Sequence, residues 1–599
     1  MSRSVLVLWT LLLAVPLAIH TGCSEDADSK LGAGDTTPPA AVGDLAIAGT
    51  TDSTVTLTWT APGDDGTTGT AAQYDVRYST FSFPAAGWAS ASPVDSTPTP
   101  KTAGLPETLL VAQLPTKRTL CFGLKTADEA GNWSALSNVV PPGLQSPTHR
   151  VKADGTGDFA TIQEAIHAAA DGDTIELADG TYRGEGNRDI DFTGKAIVVR
   201  SEGRHPISCV IDCEGSSSDP HRGFHFHSQE GPGSWLEGLT ITRAYIEGNW
   251  PEGGGGGILC ANASPTIADV VLSGNSATQG AGLCCYNGAS PVLTDVTFAG
   301  NAAVYSGGGV YCSFSSPTFT QVDFSGNSAA DYGGGMSGYQ SSVTLTHVTF
   351  TANSAAYGGG LDLNTSSSNL TDVTFFQNVA GLSGGGLHSW GISSPTLTDV
   401  VFQENSSVAP GGGMACASPS HPTVTDVTFW GNSSQMSGGA LAMWSTGDFS
   451  SVLFRANSAG ETGGALYCSY RSSPELANVT FYGNDAPLGG ALSCDWGGSV
   501  SLANSIISFS TTGEAAYCDH SRGTCSASLT CCDLYGNAGG DWVGCVAGED
   551  AANGNISQDP LFCNPASGNF YLQASSPCAP FSAPNDGCDL IGARPVGCF

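Results

Sequence analysis

The chain is short of positive charge. Its 599 residues include 20 Lys and Arg against 54 Asp and Glu, which gives a formal net charge of −34. Such a chain repels phosphate backbones and anionic lipid, so nucleic acid is excluded as a partner. Charged residues make up only 12% of the chain, whereas hydrophobic residues make up 40%, a share too high for a disordered protein.

Cationic side chains are scarcest between residues 251 and 500. This span contains no Lys, and its only Arg and His residues are Arg455, Arg471, His347, His388 and His421. A Lys or Arg general base is therefore unavailable along most of this span. The sequence predicts no catalytic residues here.

Long apolar runs are also missing, with the exception of residues 5–19. Arg3 before this run and small residues after it are typical of an export signal, which we place at residues 1–22. Cys23 directly follows a small residue, an arrangement that resembles a bacterial lipobox. The resemblance implies a lipid on Cys23, membrane attachment by that lipid alone, and a location at the bacterial cell surface or outer membrane. The alternative is ordinary secretion with Cys23 incidental. Residues 23–38 are interpreted as a flexible tether.

Residues 39–142 alternate apolar and polar side chains between turn residues, the pattern of a β-sandwich. Several features occur in the order of fibronectin type III modules, and the segment resembles that family: Pro38-Pro39, Trp59, Tyr74-x-Val76-x-Tyr78 and Ala127-Asp128-x-x-Gly131-Asn132-Trp133-Ser134. Leu120 stands where the family usually has the tyrosine of its corner. No catalytic constellation is present, and we interpret the module as a spacer.

An internal repeat of 25 to 27 residues dominates residues 232–540. It is marked by Asn249, Asn275, Asn301, Asn327, Asn353, Asn378, Asn405, Asn432, Asn457, Asn484 and, after one interruption, Asn537. An apolar residue, usually Phe, lies three positions before each Asn, and a Gly-Gly-Gly or Gly-Gly-Ala stretch follows. Each repeat is long enough for one turn of three short strands around a core, so the sequence predicts an all-β, parallel β-helix. Right-handed coiling is expected from the handedness of parallel crossovers. The stacked Asn side chains are interpreted as a structural ladder that satisfies backbone groups.

The two ends of the solenoid are expected to be capped. Thr161 and Glu164 fit a capping box at the start of a short helix within residues 148–231. Eight cysteines near the C-terminus predict a disulfide-stapled cap that includes residues 541–599: Cys525, Cys531, Cys532, Cys545, Cys563, Cys578, Cys588 and Cys598. Cys209 and Cys213 form a local pair. In each of two further sets, the cysteines recur at one ladder position on successive turns, as disulfides or as stacked thiols. The sets are Cys260, Cys285 and Cys312, and Cys468 and Cys494.

The helical start, with Gly157-Asp158-Phe159-x-Thr161-Ile162-Gln163-x-Ala165-Ile166, resembles pectin-lyase-like β-helix proteins, including pectin methylesterases. The F-x-x-N and G-G-G/A repeats resemble those of chlamydial polymorphic outer membrane proteins, which implies a surface adhesin. The catalytic motifs of the hydrolases and methylesterases of the pectin-lyase-like fold are missing from this sequence.

Two places remain candidates for metal or active sites. Asp372, Asp399 and Asp426 lie six residues before consecutive asparagines, and Ca²⁺ bridging of this array is one hypothesis, with solvated turn aspartates as the alternative. In the first coils, His225 and His227 share a strand face and are placed to bind a metal with His221 or Asp219. The alternatives there are a salt-bridged first coil and a hidden active site.

Together these features predict a monomeric, non-catalytic adhesin or glycan-binding lipoprotein. Glycans or surface polysaccharides are the expected partners, and Ca²⁺ is the only candidate cofactor. Two alternatives stay open: a polysaccharide lyase or other carbohydrate-active enzyme, and a purely structural surface stalk.

Overall fold

The computed structural model describes residues 35–50, 54–80, 85–112, 114, 120–140, 148–584 and 586–598. The predicted export signal, Cys23 and most of the tether lie outside the described residues. Within the described ranges, no helix is both long and apolar enough to span a bilayer.

The N-terminal module is built from two three-stranded antiparallel sheets that enclose one core. One sheet contains Ala46–Thr50, Val55–Thr60 and Pro106–Val111; the other contains Gln73–Ser79, Ser92–Pro93 and Cys121–Ala127. Trp59 and Tyr74 meet edge to face in the core, with ring centroids 5.1 Å apart. Leu120 is fully buried. A 3₁₀ turn spans Ala85–Ser90.

From residue 148 the chain winds into a solenoid whose strands pair in parallel, turn upon turn. Its 13-stranded sheet consists of Ile190–Asp191, Phe224–Phe226, Ile258–Ala261, Leu283–Tyr286, Val310–Ser313, Met336–Tyr339, Leu361–Asn364, Leu387–Trp390, Met414–Cys416, Leu441–Met443, Leu466–Cys468, Leu492–Cys494 and Ala516–Cys518.

A 26-stranded sheet takes two strands from most turns. Its strands are Thr148–Val151, Thr174–Leu177, Gly180–Tyr182, Val198–Ser201, Cys209–Asp212, Trp235–Glu237, Thr240–Thr242, Thr266–Ala268, Val271–Ser273, Val292–Thr294, Thr297–Ala299, Thr318–Ser325, Thr344–Thr351, Asn369–Phe376, Thr396–Thr398, Val401–Gln403, Thr423–Thr425, Thr428–Trp430, Thr446–Ser450, Leu453–Arg455, Ser473–Ala477, Thr480–Tyr482, Ser499–Ala503, Ile506–Ser508, Ser526–Thr530 and Asp533–Tyr535.

A nine-stranded sheet adds a fourth short piece to the three expected in each repeat, directly after the ladder position. Its strands are Tyr245–Ile246, Ser276–Gln279, Ala302–Ser306, Ser328–Ala329, Ser354–Ala355, Val379–Ala380, Ser406–Ser407, Ser433–Ser434 and Ser458–Ala459. Most of these pieces contain Ser and Ala, and the alanines at positions 277, 303, 329 and 355 form a separate small core with Ala281. The all-β parallel solenoid predicted from the repeat is thereby confirmed.

The predicted phenylalanine column fills the interior. Consecutive rings stack almost parallel with centroids 4.6 to 4.9 Å apart, from Phe298 through to Phe481. The glycines beside this column are required by space as well as by conformation. A Cβ on Gly335 would lie 2.7 Å from the Phe350 ring, while Gly333 takes a φ of +61°. The Gly-Gly-Gly stretch therefore lets the backbone turn tightly against the aromatic core.

The asparagine ladder runs through buried positions from Asn275 to Asn484. Each amide donates to the next asparagine's Oδ1 and to a carbonyl of the preceding turn, until Asn484, where only the carbonyl bond remains. Ser510 follows in the column and donates its backbone N–H to Asn537.

Asn249 was predicted to belong to this ladder, and that prediction is wrong. Ile241, not Ile246, pairs with Leu272, 31 residues further on, so the position opposite Asn275 is Ala244. Asn249 lies exposed in the extra residues of this longer turn.

A helix, Ile162–Ala168, covers the N-terminal end of the solenoid. Thr161 caps the helix as predicted, because its Oγ1 accepts from the Glu164 N–H, while the Glu164 carboxylate reaches one residue beyond the predicted capping box and accepts from the Ala160 N–H. The helix buries Ile162, Ala165 and Ile166.

The C-terminal cap contains Phe562–Asn564 and Asn569–Leu572 as an antiparallel pair, with 3₁₀ turns at His520–Arg522, Gly544–Val546 and Pro565–Ser567. Its disulfides are Cys518–Cys545, Cys531–Cys588 and Cys563–Cys598. The prediction that the eight cysteines near the C-terminus staple the cap is wrong in part, because Cys525, Cys532 and Cys578 are thiols. Cys518, which that prediction omitted, lies on the last strand of the 13-stranded sheet in the described part of the chain, opposite Cys494. Cys209, Cys213 and both interior cysteine sets are buried thiols.

Candidate functional site

The outer surface of the 13-stranded sheet gathers aromatic side chains. Strand alternation sends every second residue outward, and many of these positions, or those just beyond the strands, hold Tyr or Trp. We define the aromatic face as Trp250, Tyr286, Tyr311, Tyr332, Tyr339, Tyr357, Trp390, Trp444, Tyr467, Tyr470 and Trp496. Contacts between rings join its members into groups, such as Trp250 with Tyr286 and Tyr311, and Tyr470 with Trp496.

The middle of the aromatic face contains a buried acid and a histidine. Asp362 and His388 occupy the same outward position on adjacent turns. His388 Nδ1 lies 2.8 Å from Asp362 Oδ1, and the Trp390 indole N–H lies 3.5 Å from Asp362 Oδ2. Asp362 is 1% exposed and His388 is 7% exposed. Burial raises the pKa of Asp362, an effect that the hydrogen bond with His388 opposes.

Three half-buried rings cover this pair. Tyr332 stacks on Tyr357 with centroids 5.4 Å apart and on Trp390 at 5.6 Å, with interplanar angles of 15° and 19°. The Tyr357 ring lies 5.0 Å from that of His388. The result is an ordered set of stacked rings, the aromatic platform, packed against a buried polar pair.

The hydrogen-bond order beneath the platform does not match that of a catalytic triad. Ser337, Asp362 and His388 occupy the same position on three successive turns, so Asp362 lies between Ser337 and His388. A nucleophilic hydroxyl would have to contact the imidazole instead. The arrangement of Asp362 and His388 fits a structural role better than general acid–base catalysis.

The first coils contain a network of ion pairs. His221 contacts Asp189 through Nδ1 at 2.6 Å and Asp219 through Nε2 at 3.1 Å, and Arg188 lies 3.8 Å from Asp219. Arg188, Asp189 and His221 line a cavity of about 690 Å³ together with the start of the helix.

His225 and His227, predicted to share a strand face, stack with ring centroids 4.2 Å apart. His227 pairs with Asp191, whereas burial lowers the pKa of His225 to about 4. No group of three or more His, Cys, Asp or Glu among the described residues is arranged to hold a metal ion.

The aspartate array lies where the sequence placed it, at the bends of the 26-stranded sheet. Asp372, Asp399 and Asp426 have φ of +53°, +55° and +55°. Asp tolerates this left-handed conformation better than most residues, which accounts for its recurrence. Asp372 contacts His347 at 2.5 Å and Asp426 contacts Arg594 at 3.3 Å, so two of the three carboxylates have a histidine or arginine partner from the chain itself.

A family model described as "Right handed beta helix region" matches residues 229–402 and 335–507. The solenoid is a right-handed parallel β-helix. Among solved structures, the chain is similar to the family 28 exopolygalacturonase of Yersinia enterocolitica, with 10% identity, a TM-score of 0.28, and coverage of 82% of this chain and 99% of that one. It is also similar to the A-module of a mannuronan C-5 epimerase from Azotobacter vinelandii, with 13% identity, a TM-score of 0.30, and coverage of 61% and 93%. No curated protein matches the chain.

His388 was identified from the sequence as one of the few histidines of the β-helix, but its contact with Asp362 was not predicted. The signal was available, since the two residues are one repeat apart and therefore adjacent on neighbouring turns. Tyr332 and Tyr357 are also one repeat apart, each directly before a Gly-Gly-Gly stretch, whereas the contact of Tyr332 with Trp390 joins two different repeat positions and had no such signal.

Proposed function

We propose that this protein is a non-catalytic, glycan-binding β-helix protein of the bacterial cell surface. A lipid on Cys23 anchors it, and the fibronectin type III-like module holds the β-helix away from the membrane. The observation that carries the proposal is the aromatic face, a row of Tyr and Trp rings along one sheet of a rigid solenoid.

Aromatic rings suit sugar binding because they combine a flat apolar surface with a polar edge. The apolar face of a sugar ring packs against Tyr332, Tyr357 or Trp390, while hydroxyl groups reach the tyrosine O–H groups. Rings distributed over many turns favour an extended polymer over a single small molecule. The rigid β-sheet beneath them keeps the rings in place, which limits the entropy lost on binding.

The charge of the aromatic face favours a neutral glycan. The solenoid between residues 251 and 500 has no Lys, and its carboxylates leave the chain strongly negative. An acidic polymer would meet repulsion along its length unless cations screened it. Binding to the aromatic face should therefore depend weakly on salt.

A second candidate function is enzymatic, because the first coils place His221 between two carboxylates beside the cavity of about 690 Å³. A proton-transfer role there would produce new reducing ends or unsaturated sugars. Incubation of the protein with neutral and acidic polysaccharides, followed by analysis of the products, separates this candidate from binding alone.

The binding proposal is tested by affinity electrophoresis in gels containing neutral polysaccharides. We expect retardation of the protein, which the double substitution Tyr332→Ala, Trp390→Ala removes because the platform is lost. The matched control is Trp235→Ala, which removes an exposed indole from the 26-stranded sheet. Equal retardation of all three proteins would refute the role of the aromatic face, and no retardation across a broad glycan panel would favour a structural stalk.

A further inference from the structure

The C-terminal segment folds back over the outer surface of the 26-stranded sheet. Asn478 Nδ2 donates to Leu590 O at 2.6 Å, Gly592 N–H to Asn504 O at 2.7 Å, and Ala593 N–H to Thr480 Oγ1 at 2.9 Å. This segment reaches back over several turns of the solenoid. In the second strand that each turn contributes to this sheet, the outward position is often Thr. At Leu453 and Ile506 it is apolar instead, and these two side chains pack against the C-terminal segment.

Arg455 lies at the edge of this contact and is held by two aromatic rings. Its guanidinium carbon is 4.9 Å from the Trp430 ring centroid and 5.5 Å from that of Phe570. In the part of the chain that the structure describes, this guanidinium forms no ion pair and donates no hydrogen bond. The rings fix the side chain by cation–π contact and leave its N–H donors unused.

A second guanidinium completes the site. Arg594 comes from the C-terminal segment and pairs with Asp426 at 3.3 Å. Arg455 and Arg594 both line a cavity of about 160 Å³, together with Trp430 and Tyr571. A cavity of about 150 Å³ is large enough for one benzene ring, so a single sugar ring or its acidic substituent is of the right size.

The site is electropositive in a strongly negative protein. Two guanidinium groups face one carboxylate, and the half-buried Arg455 is left without a counter-ion in a chain of net charge −34. Carboxylates outnumber cationic side chains in this chain, yet the Arg455 guanidinium contacts the Trp430 and Phe570 rings instead. Guanidinium groups bind planar oxyanions in bidentate fashion, which supplies the missing partners.

We propose that Arg455, Arg594 and Trp430 form a binding site for the oxyanion of an acidic saccharide, either a carboxylate or a sulfate. Arg455 binds the anion, Arg594 adds a second positive charge, and the Trp430 ring contacts the sugar. The site lies on a different sheet from the aromatic face and does not depend on the function proposed for that face.

The test is titration calorimetry of the full chain with glucuronate, glucose 6-sulfate and glucose. We expect saturable binding of one or both anions and none of glucose, because only the anions carry the group that Arg455 recognises. Preference between the two anions identifies the carboxylate or the sulfate as the natural group. Arg455→Met should weaken anion binding about tenfold or more, the loss expected for hydrogen bonds to a charged group.

Two further variants make the result decisive. Arg455→Lys keeps the charge but loses the bidentate geometry, so we expect binding between those of the wild type and Arg455→Met. Arg471→Gln removes an exposed Arg elsewhere on the solenoid and should leave binding unchanged. Thermal unfolding of each variant checks that the C-terminal segment stays folded. Anion binding that is absent, equalled by glucose, or as strong in folded Arg455→Met as in the wild type would overturn the proposal.

Discussion

Replacement of one ladder asparagine by alanine should destabilise the whole β-helix. Asn378 is fully buried and makes four hydrogen bonds through its side chain. Its amide donates to Phe350 O at 2.8 Å and to Asn405 Oδ1 at 2.9 Å, and its Oδ1 accepts from the backbone N–H and the amide of Asn353. Asn378→Ala removes all four bonds.

The loss in the free energy of unfolding is estimated from the buried polar groups that the substitution leaves without a hydrogen-bond partner. The Asn353 N–H loses its acceptor and Phe350 O loses a donor, whereas Asn405 Oδ1 keeps the bond from the backbone N–H of residue 378. Each buried group left unsatisfied costs about 1–3 kcal/mol, so the loss should be roughly 2–6 kcal/mol. Because neighbouring turns support each other, unfolding should begin around this turn.

The measurement is urea unfolding followed by tyrosine and tryptophan fluorescence. The matched control is Asn369→Ala, which removes an exposed asparagine from the same turn and should change stability by less than about 0.5 kcal/mol. If Asn378→Ala proves no more destabilising than Asn369→Ala, the ladder is not a source of stability and the interpretation of the repeat is wrong.

Two further predictions concern the C-terminal cap. Replacement of Cys531 and Cys588 by Ser should cost the cap about 4 kcal/mol, because their disulfide closes a loop with a sequence separation of 57. Limited proteolysis followed by mass spectrometry should then cut within residues 541–598 first, and an unchanged pattern would contradict this. Burial raises the pKa of Asp533 to about 7, so the folded cap keeps a proton that the unfolded chain loses near pH 4. Cap stability should therefore fall by up to about 4 kcal/mol as pH rises from 4 to 7, and Asp533→Asn should abolish that dependence in pH-resolved hydrogen exchange.

The fold could be predicted from the sequence because every turn of the β-helix has the same requirements for packing and hydrogen bonding. Phe350 and its counterparts must fill the same interior space in every turn, and Asn353 and its counterparts must satisfy the same backbone groups, so both recur at a nearly constant interval. The prediction from the repeat spacing was wrong where the length of a turn changed. Asn249 satisfied the spacing by chance, while the insertion before Asn275 moved the true position to Ala244.

The candidate site was less predictable, because outward positions obey no repeat. The position of Asp362 is occupied by Ser337 on the preceding turn and by His388 on the following turn, so the residue type at this position is not repeated. The burial of Asp362 depends on the residues of the nearby turn that pack over it. Tyr332 and Tyr357 reach the strand from that turn, and periodicity does not predict the direction of such side chains. Arg455 shows the same limit, since its pocket is completed by residues more than 100 positions later in the sequence.

The cysteines show how burial decides between thiol and disulfide in one chain. Cys260, Cys285 and Cys312 stand opposite one another on adjacent turns, a placement for which the sequence left disulfides and stacked thiols as alternatives. Burial raises the pKa of Cys285 and Cys312 well above its usual value, so these side chains hold almost no thiolate, the form that attacks an oxidant or a disulfide. Their removal from solvent also denies access to an oxidant. Among the described residues, the disulfides lie at the C-terminal end, where the column reaches Cys518 and the cap begins. An oxidising compartment and interior thiols are therefore compatible, provided the solenoid folds before its interior cysteines meet an oxidant.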